Sequence, residues 1–205
     1  MNNMEEHWIF NPKESERHRD VDESKLIAYN EELQISQLQA PHWSTKNIEF
    51  DPLTAVIHIK GICKHVNLQP KVSWAVYFGP NSPYNSQGTT NEVDSMVAEF
   101  DALSHAVDTI RRITRMTNTI RHFTIATDSK YLYTAMTFWA GHGGINFAGK
   151  PVLYAGKFLP IHNELYFLNF ASCADIKVKF WLVKPEKNQE ADAIAREAGG
   201  IPKDL

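Results

Sequence analysis

Two aspartates and a lysine stand where the chain could do chemistry. Asp128 lies in ATDSKYL, residues 126–132, where an apolar strand pattern ends and a helix begins. That is the carboxyl end of a strand, the edge at which ligands collect in α/β sheets. An aspartate there also caps the following helix, so Asp128 in isolation serves either reading. Asp192 lies in KPEKNQEADAIAREAG, residues 184–199, in the first turns of a helix whose small apolar face is Ala191, Ile194, Ala195 and Ala198. Its carboxylate also suits the positive end of the helix dipole, by a few tenths to about 1 kcal/mol. The lysine is in VIHIKGIC, residues 56–63. A strand ending at a glycine is a common seat for a metal-binding carboxylate, and here the residue before Gly61 is Lys60.

The elements that must position these residues follow from pattern. Val56–Ile59 and Val72–Phe78 predict two strands, the second closed by the turn-forming run GPNSPYN. A further strand could lie within that turn region. Met96, Phe100, Leu103, Val107 and Ile110 recur at helical spacing and predict one long helix after TTN, 89–91. Strands are expected over His122–Ala126 and Val178–Val183, and helices over Lys130–Trp139, Phe158–Phe170 and Glu190–Ala198, the last stopped by Gly199, Gly200 and Pro202. An antiparallel start followed by alternating strands and helices argues an α/β fold, with a mixed central sheet flanked by helices. Residues 1–48 are polar and little periodic. They are expected to form a mobile leader, with one short helix near Glu23–Leu38, pinned in places by Trp8, Phe10 and Trp43. Residues 49–205 are the folded domain.

Bulk properties exclude several classes. The 205 residues are 43% hydrophobic and 22% charged, and no apolar run approaches the roughly 20 residues that span a bilayer. The acidic start MNNMEEHWIF has no apolar signal region, and Cys63 and Cys173 are the sole cysteines. Both points suit a reduced intracellular protein, cytoplasmic or nuclear, neither secreted nor membrane-bound. A net charge of −3 argues against tight nucleic-acid binding. In RRITRMTNTIRH, the residues Arg111, Arg112, Arg115 and Arg121 suit a solvated helix end better than a phosphate track.

Taken in order, the motifs resemble the ribonuclease H type 1 family over about Asp51 to Gly199. They are a strand with Gly61 and Cys63, WAVYFGPNSPYN, TTN before a helix, TDSKYL, GKPV (149–152), and FWLV followed by NQEADAIA. The resemblance implies an RNase H-like fold and cleavage of the RNA strand of RNA–DNA hybrids, with four carboxylates holding two Mg²⁺ or Mn²⁺ ions. The third and fourth carboxylates fall on Asp128 and Asp192. The first, which bridges both metals in the family, falls on Lys60, whose ammonium repels divalent cations. The second falls on Ser95 if TTN is aligned without a gap, which is the register adopted here. A four-residue shift puts it on Glu99 but sets Ser104 at an apolar position. Glu99 is in any case one turn away on the same helix face, about 6 Å along the axis. The family's histidine-bearing loop is replaced by KPEKN, with Glu186 a weak substitute, and its basic insertion by the nearly neutral GHGGINFAG.

The expectation is therefore a degenerate RNase H-like domain with lost or weak nuclease activity and no metal cofactor. It would bind nucleic acid weakly, or a protein through the domain or its leader. The alternative is an active hybrid-cleaving enzyme using Glu99, Asp128 and Asp192 with Mg²⁺ or Mn²⁺.

Overall fold

The computed structural model describes residues 7–117, 119–171 and 175–203. The first six residues, Asn118 and Cys173, all used in the sequence reading, lie outside them. No helix among the described residues is long and apolar enough to cross a membrane.

The chain starts with β1 (Ile27–Asn30), β2 (Ile35–Pro41) and β3 (Ile48–Phe50). The central elements are β4 (Thr54–Val66), β5 (Gln69–Tyr77), β6 (Ser86–Thr89) and α1 (Ser95–Met116). Next come β7 (His122–Thr127) and α2 (Lys130–Thr134), which runs into a π-helical turn at Ala135–Trp139. Then follow α3 (Ala155–Tyr166), β8 (Lys177–Leu182) and α4 (Gln189–Gly199). β6 is the further strand that the turn region left room for.

The fold is α/β with a mixed sheet. β4 is antiparallel to β5, which is antiparallel to β6, while β4, β7 and β8 run parallel. Alternation divides the central strands into two faces. Ile57 and Ile59 of β4, Phe123 and Ile125 of β7, and Val178 and Phe180 of β8 pack with Phe100, Leu103, Val107 and Ile110 of α1. The opposite face carries Val56, His58, Lys60 and Ile62. There Ile62 and Ala75 pack against Ala195 of α4, and Val56, Ala126 and Trp181 against the N-terminal segment.

That segment departs from the expected mobile leader. Residues 27–41 form a hairpin instead of a short helix, joined to β4 at Ser36–Val56. Burial of Leu26 and Leu38 with Phe10 and Trp181 outweighs the helical propensity of the glutamates and glutamines around them. Trp8 and Phe10 do pin the chain: Phe10 N donates to Phe180 O at 2.8 Å and Phe180 N to Trp8 O at 2.7 Å. Trp43 pins nothing, being 83% exposed.

Candidate functional site

Lys60 occupies the middle of β4, on the face that α4 covers. Its Nζ lies 2.6 Å from Asp128 Oδ2, with 18% of the lysine side chain and 8% of the aspartate side chain exposed. Asp128 follows β7 directly, and the parallel pairing of His58 with Ala126 brings it level with Lys60. The helix cap that Asp128 could have supplied comes from Ser129, whose Oγ accepts from Leu132 N. Asp128 is thereby left for the ion pair.

Glu99 is the third member of the cluster, and Gly61 places it there. A Cβ on Gly61 would stand 2.2 Å from Glu99 N, so only glycine admits the helix backbone this close to the strand. This corrects the ungapped register. Ser95 is the exposed first residue of α1, whereas Glu99 is buried within electrostatic reach of Lys60 and Asp128. Burial pushes the Glu99 carboxyl up to about 8; the Lys60 ammonium pulls the other way and the Asp128 carboxylate adds to the rise. A backbone hydrogen bond from Gly61 also lowers it, while Glu99 Oε2 has no hydrogen-bond partner.

A raised folded pKa fixes the sign of the pH dependence. Stability from the retained proton is fully present below the ordinary value of 4.5 and is lost as pH rises towards 8. The loss approaches about 1.4 kcal/mol per pH unit inside that window. Glu99→Gln carries no such proton. Between pH 6 and 7 it is expected to lose about 1.4 kcal/mol less than the parent in urea unfolding. Parallel profiles for parent and variant would show that Glu99 is ionised in the folded protein.

Asp192 shares a cleft of about 600 Å³ with Lys60, Asp128, Glu186, Arg196 and Lys203. Its partner is not Lys60. Arg196 Nε, one turn on, donates to Asp192 Oδ2 at 2.6 Å. Glu186 lines the cleft from a single 3₁₀ turn, Pro185–Lys187.

The sequence reading missed Asn188. It is buried, and its Nδ2 donates to Asp128 Oδ1 at 2.8 Å and to Ile59 O at 3.0 Å, while its Oδ1 meets His58 Nδ1 at 3.2 Å. Burial lowers the His58 pKa, so the ring is neutral at neutral pH. Asn188 thus ties the start of α4 to β4 and fixes the second Asp128 oxygen. Its signal was its place just before EAD, but a turn asparagine there reads equally as a cap.

The donor set does not fit a pair of divalent cations. The Lys60 ammonium is paired with Asp128, and Asp192 is held by the Arg196 guanidinium. Among the described residues no three of His, Cys, Asp and Glu gather closely enough to hold a metal ion.

The backbone resembles solved structures. LC11-RNase H1, isolated from compost by a metagenomic approach, superimposes with a TM-score of 0.51 at 15% identity, over 71% of this chain and 94% of that one. The fold is that of ribonuclease H. LC11-RNase H1 in complex with RNA/DNA hybrid gives 0.51 at 18% identity, over 71% and 96%. The foamy viral protease–reverse transcriptase in complex with RNA/DNA hybrid gives 0.51 at 17%, over 77% of this chain and 22% of that chain. No protein-family profile matches the sequence, and no curated protein matches it. Within the ribonuclease H fold, the Lys60–Asp128 pair sits beside the helix that carries Glu99 and faces the cleft bordered by α4.

Proposed function

We propose that this is a degenerate homologue of the hybrid-cleaving ribonucleases, in which Lys60 replaces the metal-bridging carboxylate. Its nuclease activity is lost or weak, and the domain acts as an interaction or weak nucleic-acid-binding module. The observation that carries the reading is the 2.6 Å pair between Lys60 and Asp128. An ammonium there supplies the positive charge that the carboxylates would otherwise draw from metal, but it cannot activate a water between two ions. The likeness to proteins solved with RNA/DNA hybrid makes a hybrid the ligand to test. With a labelled RNA–DNA hybrid and millimolar Mg²⁺ or Mn²⁺, no cleavage above the buffer control is expected, and binding is expected to be weak and salt-sensitive. Robust metal-dependent cleavage that disappears in Asp128→Asn would overturn this reading in favour of an active site of Glu99, Asp128 and Asp192.

A further inference from the structure

At the other end of the same sheet face lies a cavity of about 210 Å³, where the N-terminal segment crosses the amino ends of β7 and β8. Strand register builds its floor. His122 is paired with Lys177 and Thr124 with Lys179, and residues two apart on a strand share a face, so these four side chains form one polar patch. Arg17 and Ser15 border it from the N-terminal segment.

The charges do not balance. Asp51, the one acid lining this cavity among the described residues, is taken up by Arg17 Nε at 3.0 Å and approached by His18 Nε2 at 3.2 Å. Lys177 has a distant, exposed partner, Asp175, at 3.7 Å. No ion pair joins Lys179 to a carboxylate among the described residues. Burial, and then the neighbouring Lys177, lower its pKa, and no acid raises it. A half-buried lysine beside a second lysine, without a counter-charge, is costly unless an anion accompanies it. A second cavity of about 390 Å³ adjoins the first, sharing Phe10, Ser15 and Lys179 and edged by Ile9, Asn11 and Glu14.

We propose that this cavity binds a phosphate group, held by Lys177, Lys179 and His122, with the adjoining space taking the organic part of a phosphomonoester. Ammonium and imidazole N–H groups offer charge-assisted hydrogen bonds to the terminal oxygens, and the Thr124 hydroxyl adds a neutral donor. The site is separate from the Lys60 cleft and does not depend on the function proposed for it.

The test is calorimetric titration of the whole protein with inorganic phosphate and with adenosine 5′-monophosphate, using sodium chloride at equal ionic strength as control. Phosphate is expected to bind where chloride does not. Tighter binding of the mononucleotide is expected, and equal binding would overturn the assignment of the adjoining space to an organic group. Lys179→Met is expected to weaken binding by about tenfold or more, as the loss of one charge-assisted hydrogen bond does. Lys71→Met, at an exposed position on β5, is expected to leave it unchanged. Should Lys179→Met fail to fold, Lys177→Gln carries the same expectation. No binding above chloride, or undiminished affinity in the cavity variant, would overturn the proposal.

Discussion

Lys60→Ala is expected to destabilise the protein by about 3–5 kcal/mol, the usual result of removing one partner from a buried charge pair. The variant leaves Asp128 nearly buried with Asn188 Nδ2 as its remaining side-chain donor, and leaves Glu99 to feel the Asp128 charge without the Lys60 charge to offset it. In a chain of this length each kcal/mol moves the melting temperature by roughly 2–4 °C, so the fall should be obvious in a thermal scan. Lys71→Ala, at an exposed lysine on the neighbouring strand, should change stability by no more than about 0.5 kcal/mol. If the two variants melt alike, the Lys60–Asp128 pair is not a buried structural contact.

Lys60→Asp has the second large effect, and its sign depends on metal. In chelator a third acidic group joins Asp128 and Glu99 with no cation to offset it, so the variant should be at least as unstable as Lys60→Ala. Added Mg²⁺ or Mn²⁺ should then restore stability by mass action, by about 2.7 kcal/mol at a hundred times the dissociation constant. Binding also draws the proton from Glu99 and competes with Arg196 for Asp192. Recovery should therefore be greater at pH 8 than at pH 6, since a ligand must shed its proton before it coordinates.

Much of this arrangement is legible in the sequence. β4, β5, β7, β8 and the helices between them follow from runs of β-branched residues and from helical spacing, and TDS and NQEAD marked where Asp128 and Asp192 would stand. The register of α1 was misjudged because the apolar spacing of its large residues favoured the ungapped alignment. Phe100, Leu103, Val107 and Ile110 are buried, as expected. Small residues are buried beside them, however: Ala98, Ala102 and Ala106 are fully buried, and Ser104, the objection to placing Glu99 at the site, is exposed. Gly61 was the available signal, since a glycine on a central strand marks a close backbone approach. The N-terminal hairpin was hidden for a different reason. Its residues are polar by composition, and their burial comes from a partner surface formed by Val56, Ala126 and Trp181, far along the chain. Asn188 likewise owes its role to the strand above it rather than to its neighbours in sequence.

Whether the Lys60 ammonium stands in for a metal can be read from stability. The most direct measurement is the melting temperature of the parent protein beside Lys60→Asp, each in chelator and then in Mg²⁺. A clear upward shift is expected for Lys60→Asp and little or none for the parent. A parent that gains as much from Mg²⁺ as Lys60→Asp does would mean that the site still takes its metal and that Lys60 is a bystander.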